Sequence, residues 1–149
     1  MRRHVSDLLR TGAVVVYTSA QASVAEAVEK MTRHNVGSIL VMKNNHQLVG
    51  IFTERDLLHR VAAKNLNLQQ TKIGDVMTSD VIVVSSDTPR GEVRRLMDTH
   101  HIRHIPVSDG KHIIGVISLR DVLRFENAEK EFEIEQLRHY IHQPGPNIA

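Results

Sequence analysis

The sequence predicts a mixed α/β (α+β) fold. Two β-α-β-β-α units pack face to face about a pseudo-twofold axis, and one long helix follows them. Three observations lead there. A short segment occurs twice, as GIFTERDLL at 50–58 and as GVISLRDVL at 115–123. The apolar patterns around the two copies run in the same order. The composition, 41% hydrophobic and 24% charged over 149 residues, is that of an ordinary globular domain. It argues against wholesale disorder, and no window approaches the run of about 20 apolar residues that a spanning helix needs.

The two segments share Gly50/Gly115, Arg55/Arg120, Asp56/Asp121 and Leu58/Leu123. Thr53/Ser118 is conservative, and only Glu54/Leu119 disagrees. The match extends upstream through Met31/Met97, His34/His100, Ile39/Ile105 and Val41/Val107, with the spacing longer by one residue. That slip falls between KNNHQ and DGKH, polar turn sequences where a length change costs little. The predicted organisation is a first repeat at 1–64, a polar linker at 65–72, a second repeat at 73–126, and a helix with a tail at 127–149.

Each repeat opens with a short β-branched run, Val14–Val16 or Val81–Val84. A helix follows. In the first repeat Ser23 is the expected N-cap, Glu26 completes a capping box, and Val24, Ala27, Val28 and Met31 form the apolar stripe. In the second, Asp87 or Thr88 precedes Pro89 near the first helical position, with Val93, Leu96 and Met97 facing inward. Two strands joined by a turn come next, Ser38–Met42 with Gln47–Phe52, and His104–Val107 with His112–Ile117. A last helix starts at Thr53 or Ser118, both good N-caps. A unit this small leaves one sheet face uncovered. Packing of the two units through those faces leaves a cleft at the seam, where ligands commonly bind.

The duplicated segment carries its own chemistry. The hydroxyl of Thr53 or Ser118 sits at a helix N-terminus, where free backbone N–H groups attract anions such as phosphate. Arg55 and Arg120 add a planar cation suited to phosphate. Asp56 and Asp121, three residues past the hydroxyl, share its helix face and can accept both hydroxyls of a ribose. Together they outline a nucleotide site. The same residues also make an ordinary helix start beside a solvated ion pair worth about 0–1 kcal/mol. Capping alone does not require the same Gly, Arg and Asp twice.

These motifs, with HHIRHIPV at 100–107 and IGDVMTSDVIVVSSDTP at 73–89, resemble the CBS domain in its tandem form, the Bateman module. The segment HVSDLLRTG at 4–12 resembles a weaker IGDVMTSD. The resemblance covers roughly residues 1–126. It implies a regulatory module, without catalytic cofactor, that binds AMP, ADP, ATP, NAD-type dinucleotides or S-adenosylmethionine between the repeats. It implies two sites, each joining the [ST]-x-x-D element of one repeat to apolar strand residues of the other. The first would use Thr53, Arg55 and Asp56 with Val81, Ile82, Ile102 and Arg103. The second would use Ser118, Arg120 and Asp121 with Val15, Val16, Val36 and Gly37. His101 stands where the family often has a phosphate-contacting basic residue. Asn35 replaces it in the first repeat, and Leu40 replaces the strand proline found at Pro106, so unequal sites are expected. The family also implies a disc-like homodimer acting on an unidentified regulated protein.

Other classes fare worse. Lys+Arg is 19 against 17 Asp+Glu, and no strong basic excess points to nucleic acid. Arg90, Arg94 and Arg95 form a local basic patch. Without Cys there is no disulfide framework, thiolate metal site or cysteine nucleophile. With 3% aromatics and no Trp there is no stacking platform for bases. No carboxylate pair or general base accompanies the nucleotide motif, so an enzyme is disfavoured. MRRHVSDLLRTG lacks the apolar run of a secretory signal, and a cytoplasmic protein is expected. Ten histidines are unusual. His100, His101 and His104 span a helix end and a strand start, so their rings need not converge on a metal; phosphate contact by His100 or His101 is the functional reading. Residues 119–142 form one helix, with Phe125, Phe132, Ile134, Leu137 and Ile141 on an apolar face and Glu126, Glu129, Glu131, Glu133 and Glu135 covering the remainder. That face either packs on its own core or meets a partner. The competing reading of the whole chain is a structural dimerisation module with vestigial ligand sites.

Overall fold

The computed structural model describes residues 4–9, 14–44 and 46–142. After a 3-10 turn at Val5–Leu8, the first repeat comprises β1 (Tyr17–Thr18), α1 (Val24–His34), β2 (Ser38–Lys43) and β3 (Gln47–Thr53). Its second helix, α2, is an α-turn at Glu54–Asp56 continued as a π-helical stretch at Leu57–Ala62. A short α3 (Ile73–Val76) leads to the second repeat: β4 (Val84–Ser85), α4 (Arg90–His100), β5 (His104–Ser108), β6 (Ile113–Ser118) and α5 (Leu119–His142). Each repeat holds a three-stranded sheet, β1-β2-β3 or β4-β5-β6, with a parallel first pair and an antiparallel hairpin. Among the described residues no helix is long and apolar enough to cross a membrane.

The opening strands fall later than their valines suggest. Tyr17 and Thr18 pair with Leu40 and Val41; Val84 and Ser85 pair with Val107 and Ser108. The runs Val14–Val16 and 81–83 instead precede the paired strands, with the Val16 carbonyl accepting from Leu40 N at 3.1 Å. Val15 and Val81 pack on Leu40, Met42 and Ile51, together with Leu48, Ile113 and Val116. This cluster joins the two sheets. Val14 is 73% exposed and Val83 41%, so each run is covered only in part, at Val15 and Val81, by the seam.

Each repeat has its own core. Val24, Ala27, Met31, Ile39, Val41, Phe52 and Val61 fill the first, and Val93, Met97, Ile105, Val107, Ile117 and Val122 fill the second. The segments that lead into the repeats are exchanged. Val5 is buried in the second core, whereas Ile73 and Val76 are buried in the first. This crossing explains the duplicated glycines. A Cβ on Gly50 would collide with Met77 Sδ and meet the Thr78 carbonyl at 3.0 Å; one on Gly115 would meet Leu9 Cδ2 at 2.6 Å. The segment from the other repeat thus lies directly on the strand backbone at the first position of each motif.

Ser23 caps α1 by accepting from Glu26 N (3.1 Å). Pro89 stands at the N-cap of α4, one residue before the helix. Helices α1 and α4 both end on a left-handed residue, Asn35 (φ 51°) and His101 (φ 53°). Such a residue closes a helix by turning its N–H back to the last turn. The first turns of α5 dock on α4: Arg90 reaches Glu129 at 2.7 Å and lies 4.6 Å from the Phe125 ring centre, and Arg94 reaches Glu126 at 3.1 Å. Arg95 pairs with Glu92 on its own helix. All three arginines of the local basic patch therefore face carboxylates. Residues 131–141 of α5 are all exposed, with Phe132, Leu137 and Ile141 at 63%, 62% and 74% exposure.

Candidate functional site

Both duplicated motifs fold into the predicted capping arrangement. Ser118 and Asp121 close a reciprocal box: Asp121 N donates to Ser118 Oγ (3.1 Å), while Ser118 N (3.0 Å) and Oγ (2.9 Å) donate to Asp121 Oδ2. Thr53 and Asp56 do the same, with Asp56 N to Thr53 Oγ1 at 3.3 Å and Thr53 N and Oγ1 to Asp56 Oδ2 at 3.0 and 3.2 Å. A backbone bond locks each helix start to the strand entry of its own repeat, Glu54 N to Gly37 O (3.0 Å) and Leu119 N to Arg103 O (2.8 Å).

The two carboxylates then diverge. The second oxygen of Asp56, Oδ1, is held by Thr78 Oγ1 (3.4 Å) and Arg60 Nε (3.5 Å), and the residue is buried. The second oxygen of Asp121 accepts no hydrogen bond among the described residues, and Asp121 lines a cleft of about 1080 Å³. The cleft lies on the seam. Val15, Val16, Val36 and Gly37 form one wall from the first repeat, and Ser118, Arg120 and Asp121 form the other from the second. The seven residues expected at the second site therefore share one cavity.

The residues expected at the first site scatter more. Arg55 donates through Nη1 to the His101 carbonyl at 3.2 Å, so the backbone of His101 is engaged with the first motif. His100 is the exposed last residue of α4. Ile102 packs on the second core and Val81 on the seam, while Ile82 is half-buried. Arg103 lines the cleft of the second site instead.

Sequence reasoning passed over several cleft residues: Glu54, His104, Arg124 and Asn127. Two of them had a visible signal. Glu54/Leu119 is the one dissimilar pair in the duplicated motif, and both of its members line the cleft. His104 pairs across the hairpin with Ser118, which carries it to the same rim. Gly37 lets the walls meet: a Cβ there would collide with Glu54 Oε1 and come within 3.1 Å of His104 Nε2.

Burial holds the His104 imidazole below its usual range, against the pull of Glu54 and Asp121 and with the help of Arg103. It is neutral near pH 7 in the fold. Below about pH 6.5 the unfolded chain takes up this proton before the folded one does. His104 therefore contributes stability that is present above about pH 6.5 and is lost as pH falls toward the lower folded value. Urea unfolding between about pH 7 and about pH 5.5 should show a shallower loss for His104→Gln than for the wild type. Equal slopes would show that His104 titrates as it does in the unfolded chain.

Two α/β repeats joined through their sheets, with a hydroxyl–carboxylate box opening onto a cleft at the seam, define a tandem-repeat module. The chain belongs to the CBS domain family, whose model matches residues 5–63 and 73–127. It is 38% identical over 130 residues to the mitochondrial CBS domain-containing protein CBSX3 of Arabidopsis thaliana, an alignment covering 85% of this chain and 63% of that protein. The chain spans between about a third and two thirds of the length of the first curated relatives it matches. Among solved structures it is similar to the CBS domain protein PAE2072 from Pyrobaculum aerophilum complexed with AMP (TM-score 0.72, 26% identity, 79% of this chain and 88% of that one). It is also similar to the CBS domain pair of protein MJ0100 in complex with 5′-methylthioadenosine and S-adenosyl-L-methionine (TM-score 0.75, 25% identity, 85% and 97%).

Proposed function

We propose that this chain is a non-catalytic, cytoplasmic regulatory module that binds an adenosine-containing ligand in the seam cleft and transmits occupancy to a partner. The observation that carries the reading is the convergence of Ser118, Arg120 and Asp121 with Val15, Val16, Val36 and Gly37 on one cavity. Its volume of about 1080 Å³ is ample for a nucleotide. Asp121 offers a carboxylate oxygen for a ribose, and the valines offer an apolar bed for a base. The adenosyl ligands of the AMP-bound and S-adenosylmethionine-bound relatives support the ligand class. The repeats act as units at 1–64 and 73–126, joined by 65–72, apart from their exchanged leading segments, which put Val5 in the second core and Ile73 and Val76 in the first. Ligand touching both walls stabilises one angle between them, which is how binding becomes a signal.

The vestigial reading applies to the first site only. With Thr53, Thr78 and Arg60 on its carboxylate, Asp56 has a structural task. We therefore expect one ligand per chain. The exposed Phe132, Leu137 and Ile141 of α5 support self-association as a homodimer. Calorimetry with AMP, ADP, ATP, NAD and S-adenosylmethionine, with sedimentation of the same samples, tests both points. The expected result is saturable binding at one site per chain on a dimer. No heat and no rise in melting temperature with any of these ligands would overturn the nucleotide reading, because a ligand of the folded state must stabilise it.

A further inference from the structure

The cleft carries an imbalance of charge that bears on the identity of its ligand. Most described arginines have a partner within the chain. Arg33, Arg60, Arg90, Arg94 and Arg95 pair with carboxylates, and Arg55 donates to a carbonyl. Arg103, Arg120 and Arg124 make no ion pair or hydrogen bond through their side chains among the described residues, and all three line the cleft. Arg120 and Arg124 stand one turn apart on α5, where two like charges on neighbouring positions cost a few tenths of a kcal/mol. Arg103 approaches from the strand entry of β5, beside His104. The same cavity holds two carboxylates, Glu54 and Asp121, which the three arginines outnumber. Asp121 is held by Ser118, and Glu54 adjoins Gly37 and His104.

We propose that this cleft selects an adenosine ligand bearing two or more phosphates, of the ADP and ATP class, over AMP and over the cationic S-adenosylmethionine. The proposal rests on the proposed function, an adenosyl ligand seated on Asp121. A guanidinium recognises phosphate through parallel charge-assisted hydrogen bonds, and three of them can serve a chain of phosphates that one monophosphate cannot span. A sulfonium cation brought among the same groups meets repulsion. Arg124 lies outside the duplicated motif: His59 occupies the matching position of the first repeat. The preference is therefore a property of this one cleft, not of the repeat.

Competition calorimetry on the full chain tests it, with ATP, ADP, AMP and S-adenosylmethionine as probes and Arg124→Ala and Arg124→Lys as variants. Arg124 is exposed and has no hydrogen-bond or ion-pair partner among the described residues, so neither variant should disturb folding. ATP and ADP should bind at least about tenfold more tightly than AMP and S-adenosylmethionine. Raising salt from about 50 to about 300 mM should weaken ATP more than AMP. Arg124→Ala should bring ATP close to the affinity of AMP, and Arg124→Lys should keep part of the difference. Should AMP or S-adenosylmethionine bind as tightly as ATP, or should Arg124→Ala leave the ranking intact, the phosphate preference falls while the adenosyl-binding function stands. Should none of the four bind, both fall.

Discussion

Asp121→Ala should abolish nucleotide binding at working concentrations, while Asp56→Ala should leave it nearly intact. The two aspartates occupy the same motif position, and sequence alone predicts the same loss from each. Their surroundings separate them. Asp121 Oδ2 is committed to Ser118, while the remaining oxygen opens on the cleft with no partner among the described residues. A ribose diol on that carboxylate makes charge-assisted hydrogen bonds worth about 1.5–3 kcal/mol each. Losing both weakens binding by at least about 100-fold. The cap of α5 partly survives, because Ser118 Oγ still accepts from the backbone N–H of residue 121.

Asp56→Ala has the opposite profile. It strips acceptors from Thr53, Thr78 and Arg60 at a buried position, and orphaned buried polar groups cost about 1–3 kcal/mol. Parallel calorimetry and chemical denaturation of the two variants separate the roles. Matching losses of affinity would mean that both sites bind, and the single-site assignment would be wrong.

The layers of the fold were legible because each left a period or a repeat. The duplicated segment located both hairpins and both helix starts, and the 3.6-residue stripe of Val24, Ala27 and Met31 located α1 and its buried face. Less legible was whatever depends on the other repeat. Nothing local tells that Val5 belongs to the second core and Ile73 to the first, since a short apolar segment fits either. The run Val14–Val16 predicts a strand because partial cover at a seam and pairing in a ladder leave the same apolar pattern in sequence. At the candidate site, the motif predicted Ser118 and Asp121 but not what occupies their neighbours. Thr78 on Asp56 and Arg103 in the second cleft are consequences of three-dimensional juxtaposition. His104 could have been found by extending the hairpin register to the residue opposite Ser118.

Phe52→Ala should be among the most destabilising single substitutions in the chain, at about 3–5 kcal/mol. Phe52 is fully buried and is the largest of the fully buried side chains. It pairs across the hairpin with Ile39 and packs with Met31, Val61 and Val76. The last of these arrives through the exchanged segment, so the ring braces the crossing as well as the sheet. Its counterpart in the second repeat is Ile117, a smaller side chain, and Ile117→Ala should cost less. A domain of ordinary stability, about 5–15 kcal/mol, loses a large share of it to one such cavity. Because Leu40, Met42 and Ile51 join the two sheets through Ile113 and Val116, the loss should appear as a lower midpoint of a single urea transition. If the variant instead shows two transitions, with the second repeat melting at the wild-type midpoint, the seam does not couple the repeats. Communication between ligand and partner would then need a route other than the angle between them.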